Sequence, residues 1–466
     1  MFTHLPQRLM MNNHESAVGL KKHKRTATDI GLALIMPIVG QELLDKYNLR
    51  DPFNRGLRYG VRTAFSAAGA TTRQFKRVQG IGKAPTRLAS SRSEKASDYF
   101  DLTPDDDQKM IVETVKEFAE EILRPAAYDA DDAAQYPADL LTKAAELGVT
   151  AINIPEDFDG IAEHRSTITN ALVAEALAYG DMGLALPILA PGGVASALTH
   201  WGSADQQATY LREFAGENVP QACVAIAEPH ALFDPTSLRT TAVRTPSGYR
   251  LDGVKSLVPA AANAEVFIIA AQFNGRPSLF LVEAASEGLT VKADPSMGIR
   301  AAALGQVELN KVSVPLSARL GEDISESEHA QNYSEAMALS RLGWAALAVG
   351  TSHAVLDYVI PYIKERQAFG EPIAHRQSVA FMAANIAIEL DGLRLITWRG
   401  ASRAEQGLPF AREAALARKL GSDKGMQIGL DGVQLLGGHG YTKEHPVERW
   451  YRDLRAIGVA EGVVVL

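Results

Sequence analysis

The strongest constraint on this chain is a change of hydrophobic period along its length. From Ala222 to about Pro315 apolar and polar residues alternate. Segments 238–243, 249–254, 266–271, 278–282 and 307–314 are short and rich in β-branched side chains, with turn chemistry such as Pro246-Ser247-Gly248 between them. On both sides the spacing lengthens to three or four. Met110, Val112, Val115, Phe118, Ala119 and Ile122 form one stripe, and helical patterns continue through 140–147, 167–179 and 193–201. Thr103, followed by Asp105, Asp106 and Asp107, marks the start of the first helix, because anions favour the N-terminal dipole end. After Ser327 long helical patterns resume, with Val379, Met382, Ile386, Leu390 and Leu393 on one face. A helical, β, helical order without βαβ alternation predicts an α+β fold, mainly α, and argues against a Rossmann-type nucleotide domain. The expected divisions are 1–98, 99–221, 222–326 and 327–466.

At 466 residues the chain exceeds what one hydrophobic core supports. An apolar fraction of 46% and a charged fraction of 22% exclude a disordered or fibrous class. Cys223 is the single cysteine, which rules out a disulfide framework and makes a reducing cytoplasm the expected compartment. No apolar run approaches the roughly 20 residues of a membrane span; GLALIMPIVG at 31–40 is short and holds Pro37. Residues 1–98 carry 17 Lys and Arg against 7 Asp and Glu, or +10, so with a total of −8 the remainder carries −18. Within this basic segment 30–47 and 55–78 read as amphipathic helices, the second bearing Arg58, Arg62, Arg73, Lys76 and Arg77, and 80–97 has linker composition. The arm is expected to pack on the body, to touch an anionic membrane peripherally, or to dock a partner. Nucleic-acid binding by an acidic body is not expected.

The most specific stretch is QLLGGHGY at 434–441, followed by HPVERWYRD at 445–453. Paired glycines let a backbone approach a ligand and bare its N–H groups, but they serve equally as a helix stop. Arg366, in KERQAFG, reads either as a ligand-binding guanidinium or as a helix-end cation. Glu461 lies among Val459, Ala460, Val463, Val464 and Val465; an isolated glutamate is ordinarily solvated, yet such surroundings would raise its basicity. The 11 histidines show no metal-ligand spacing, and His439 and His445 read as surface residues. Gly80-Ile81-Gly82-Lys83 lacks the spacing of a phosphate-binding P-loop.

QLLGGHGY with PVERWYRD resembles the C-terminal signature of the acyl-CoA dehydrogenases. RQAFGEPI at 366–373 with Gln377 is similar to that family's segment after its first bundle helix, and AEPHALFDPTSLRTTAV at 227–243 aligns without gaps to its T-E-P-G-A-G-S-D stretch. The resemblance covers about 100–466. It implies a C-terminal four-helix bundle, paired subunits and FAD across their interface. It places Arg366, Phe369, Gln377, Gln434, Gly437 and Gly438 on the adenosine and diphosphate parts of FAD, Asp234 and Arg452 on the substrate side, and Glu461 as the base that removes the Cα proton of an acyl-CoA. It also implies an electron-transfer flavoprotein as oxidant and a homodimer or homotetramer. Departures cluster on the flavin-ring side. Ala227 replaces a hydroxyl, Leu232-Phe233 replaces G-S, Leu257-Val258-Pro259 replaces W-I-T, and Val463 replaces a threonine. Each lost neutral hydrogen bond weakens the hold on a polar ring by about 0.5–1.5 kcal/mol. This pattern admits a second reading, a half-site subunit in a hetero-oligomer that completes the FAD site of a homologue. A third is an acyl- or membrane-binding structural or regulatory relative.

Overall fold

The computed structural model describes residues 104–162, 166–216, 218–322 and 324–466. The two expected helices of the basic arm, its linker and Thr103 lie outside them. The first described helix, α1 (Asp106–Phe118), starts with Asp105 as N-cap: its side chain accepts from the Gln108 N–H, and the Gln108 side chain returns the bond. Val115 and Phe118 of the expected stripe are buried, while Met110 is exposed. One π-helical turn, Ala119–Leu123, leads into α2 (Arg124–Ala133). Then follow α3 (Leu140–Glu146), α4 (Thr167–Gly180), α5 (Met182–Trp201) and α6 (Ala204–Ala215).

Helix α5 corrects the sequence reading in two ways. It begins well before the expected 193, running through Pro187 and Pro191, and its 20 residues are long and apolar enough to cross a membrane. The 40-residue helix Glu326–Glu365 passes the same test of length and composition. In α5, however, 83% of the apolar window is buried inside the protein. A helix apolar all round is a core helix when other elements enclose it.

The β region is a seven-stranded sheet ordered β1-β4-β2-β3-β7-β6, with β5 paired to β4. Its strands are β1 (Ala222–Ala225), β2 (Thr241–Thr245), β3 (Gly248–Val258), β4 (Val266–Phe273), β5 (Arg276–Glu283), β6 (Leu289–Ala293) and β7 (Gly305–Pro315). The Pro246-Ser247 turn closes a β2–β3 hairpin in which Thr245 pairs with Gly248. Strand β6 was missed because Leu289 and Val291 are its only large apolar residues. Lys255, fully buried on β3, meets Glu228 at 2.9 Å and donates to the Ile226 carbonyl. Glu228 also accepts the N–H groups of Arg239 and Thr240, so this buried pair is hydrogen-bonded on several sides.

Ser325 caps α7 (Glu326–Glu365) through a capping box with Glu328. A two-residue hairpin, β8 (Gln367–Ala368) and β9 (Glu371–Pro372), joins it to α8 (Gln377–Glu405), and α9 (Ala411–Leu436) completes three long helices. The fourth member of the bundle is short, α10 (Val447–Leu454). A Cβ at Gly350 of α7 would lie 2.0 Å from the Glu175 carbonyl of α4, so only glycine allows these backbones to touch.

Candidate active site

Five of the six residues assigned to FAD converge. Arg366, Phe369, Gln434, Gly437 and Gly438 line one cavity of about 920 Å³, together with Arg376 and His439. The geometry has local causes. Phe369 and Gly370 are the central residues of the β8–β9 turn, both with positive φ (56° and 83°), as a primed hairpin turn requires. A phenylalanine in this region is strained by about 1–2 kcal/mol, and its ring is 93% exposed beneath the Arg376 guanidinium, 5.4 Å from the ring centroid. Helix α9 stops at Gly437, whose φ of 59° and ψ of −135° are open to glycine alone. A Cβ built on Gly437 or Gly438 meets nothing within 4 Å, which leaves bare backbone facing open space. Exposed cation, bare amides and aromatic face fit the diphosphate and adenosine end of FAD. Gln377 opens α8, is exposed and is not part of this lining. His439 is also exposed; it stacks on His445, and each Nδ1 lies within hydrogen-bond reach of a tyrosine hydroxyl, Tyr362 and Tyr358 respectively.

The flavin-ring side offers less. Ala227 and Pro259 are buried and present no side-chain donor, while Leu257 lines an apolar cavity of about 380 Å³ with Met297, Ile299, Met426 and Val459.

Glu461 is held from three sides. Gly462 pairs with Ala225 of β1, and Val463 donates its N–H to the Val224 carbonyl at 2.9 Å. The Gly462 carbonyl accepts from the Ser340 hydroxyl (2.6 Å) and the Trp344 indole (2.9 Å) on α7. Val463 has φ of 67°, an outlier for a β-branched residue. The Glu461 side chain is buried, but its surroundings are not purely apolar, contrary to the sequence reading. Val459 is 63% exposed, and Oε1 of Glu461 meets Arg341 of α7 at 3.2 Å and Arg418 of α9 at 3.5 Å. Burial lowers the Arg418 pKa, with Glu461 acting against it. Tyr333 donates to the Pro235 carbonyl at 2.6 Å; burial, then the charges of Glu461 and Glu228, hold its phenol far above the usual range, so it stays protonated.

The two residues expected on the substrate side have partners within the protein, and Arg452 also lines the cavity of Leu257. The Asp234 carboxylate accepts from Thr236 N (2.9 Å) and Oγ1 (2.8 Å), capping its own turn. Arg452 donates five hydrogen bonds, to Asp131, Glu448 and the Met297 carbonyl, which uses every N–H it has. It ties α10 to α2 and has no donor left for a ligand. Arg341 and Arg418 were overlooked; the available signal was a lone cation inside an otherwise apolar helical run, as at 336–350.

Comparison with known proteins agrees with this geometry. Models of the acyl-CoA dehydrogenase N-terminal, middle and C-terminal domains match residues 105–218, 223–312 and 331–463 in order. A probable acyl-CoA dehydrogenase of Bacillus subtilis, YngJ, is 31% identical over 372 residues, covering 78% of this chain and 96% of that one. Butyryl-CoA dehydrogenase from Megasphaera elsdenii superposes with a TM-score of 0.70 at 27% identity, over 77% of this chain and 95% of that one. PigA, solved with FAD and proline, gives 0.71 at 27% identity over the same shares. Three matched domains in one order, on the fold and cavity just described, establish that the chain belongs to the acyl-CoA dehydrogenase family.

Proposed function

We propose that this FAD-dependent oxidoreductase introduces an α,β double bond into an acyl-CoA thioester, with Glu461 as the base. The observation that carries the reading is the convergence of Arg366, Phe369, Gln434, Gly437 and Gly438 on one cavity. Bound FAD supplies the acceptor for the hydride that leaves Cβ. Glu461 takes the Cα proton. Its Oε2 is buried without a hydrogen-bond partner, an acceptor able to face a C–H group once the thioester closes the site to water. An electron-transfer flavoprotein is the assigned oxidant of the reduced enzyme. Pairing with a second copy is supported by Phe381, Ile388 and Leu395, exposed apolar residues seven apart along α8. The purified full chain should be yellow, with about one FAD per subunit, and anaerobic acyl-CoA should bleach it. A colourless protein that stays colourless when FAD is added would defeat the reading.

A second reading has its own support, the missing donors at Ala227 and Pro259 beside an intact adenosine-side cavity. On it, this chain lends Arg366, Phe369 and its glycine turn to the FAD of a homologous partner. FAD retained only when the two chains are purified together would select it.

A further inference from the structure

The arginines of this protein are unequally satisfied. Arg452 donates five hydrogen bonds. Arg319 places three on Glu326 and Ser278, although its Nε is unpartnered. Arg341 donates one, from Nη2 to Glu461, and Arg418 reaches the same oxygen only as a 3.5 Å ion pair. Their side chains are 31% and 14% exposed, Arg418 the more enclosed of the two. Buried N–H groups at Arg341 Nε and Arg418 Nη1 have no partner. Unmade bonds on buried cations are costly, and native proteins leave few of them. The charge is unbalanced too: two guanidinium groups share one carboxylate. Asp234 is the other acid near Arg341, and it is exposed and committed to its own turn. Tyr333 is neutral, and Glu228 is matched by Lys255.

Orphaned donors, excess positive charge and adjacency to the base oxygen describe a site built for an anion with more than one oxygen. We infer that Arg341 and Arg418 bind a carboxylate at the far end of the acyl group, so that the preferred substrates are ω-carboxyacyl-CoA thioesters. This deepens the dehydrogenase reading and rests on it for the identity of the thioester. The distances limit chain length. Both guanidinium groups lie within 3.5 Å of Glu461 Oε1, on the same carboxylate as the Oε2 that faces Cα. With C–C bonds of about 1.5 Å, the carboxylate carbon sits two to three bonds beyond Cα, in an acyl group of about four to five carbons. Binding is an exchange of partners. The substrate carboxylate takes over the guanidinium groups and releases Glu461 to face Cα. A plain acyl chain offers no such replacement and leaves two half-buried cations under-paired.

The test compares a five-carbon ω-carboxyacyl-CoA with the unsubstituted five-carbon acyl-CoA. Calorimetry gives affinity and anaerobic mixing gives flavin reduction, for the wild type, Arg418→Met and Arg418→Lys. The carboxylated ester is expected to bind about 10- to 100-fold more tightly, since hydrogen bonds to charged groups are the strong ones. The gap should collapse in Arg418→Met and partly return in Arg418→Lys. Equal or tighter binding of the plain ester by the wild type overturns the inference, as does a gap that survives in folded Arg418→Met. If Arg418→Met does not fold, Arg341→Met replaces it, and the wild-type comparison decides by itself. An affinity gap without flavin reduction by either ester would sink the dehydrogenase reading and keep the carboxylate site. Reduction by both esters without a gap would do the reverse.

Discussion

Arg341 Nη2 lies 3.2 Å from Glu461 Oε1, so the middle of the longest helix holds the last acidic side chain of the chain. A base in this position is oriented by its guanidinium partners, yet it must turn from them to reach a substrate carbon. Glu461→Gln keeps shape and burial but cannot accept a proton. We expect the variant to bind FAD and acyl-CoA while flavin reduction falls by about 100-fold or more, read as persistence of the oxidised flavin band after anaerobic mixing. Near-normal bleaching would assign the base elsewhere.

The glycine turn gives a second expectation. At Gly437 an added methyl group is incompatible with the backbone angles, a strain of about 1–3 kcal/mol, and it intrudes on the open cavity floor. Gly437→Ala should therefore fold, by circular dichroism, but release FAD about 10-fold more readily. Unchanged FAD retention on gel filtration would remove this turn from the cofactor site.

These two positions show what was legible in the sequence. The glycine pair and the hairpin of Arg366 and Phe369 are contiguous motifs whose chemistry is local, and the structure brings them to one cavity. Alternation across β3 and β7 was equally readable, because a strand with one buried face repeats every second residue. Arg341 and Arg418 were not. They come from two helices far apart in sequence and meet Glu461 only through tertiary packing. The pairing of Arg452 was hidden for a similar reason: its partner Asp131 lies in the N-terminal helical region, so nothing local shows where its donors go. Helix α5 extends well before the expected 193, because the surrounding core sustains it through Pro187 and Pro191, which local propensity disfavours inside a helix.

Lys255 and Glu228 form the most completely buried ion pair of the β region. Burial pushes the Lys255 ammonium down to about 8, with Glu228 opposing. Removing the cation alone leaves a buried carboxylate unpaired, so Lys255→Met should destabilise the protein by about 3–5 kcal/mol in chemical denaturation. Adding Glu228→Gln should recover part of that loss. A single variant within about 0.5 kcal/mol of wild type would show that the site admits water.

The last expectation concerns pH. Asp453 on α10 is buried, and its Oδ1 accepts the Ile299 N–H at 2.5 Å. Burial, then the neighbouring Asp181 charge, push its carboxyl up to about 8, against the Ile299 N–H, Arg449 and Arg452. Its value in the unfolded chain is near the ordinary 3.9, so the folded state binds the proton more tightly. A raised folded value means a stabilising contribution that is complete below about pH 4 and is lost as pH rises through about 8. Asp453→Asn is neutral throughout and has no such dependence. Its carbonyl can still accept the Ile299 N–H if the amide is oriented to do so. The thermal midpoint of the variant should therefore gain on that of the wild type between about pH 6 and about pH 9, whatever the offset at the lower end. Parallel midpoint curves across that range would mean that Asp453 is already ionised in the folded protein, with Arg449 and Arg452 outweighing its burial.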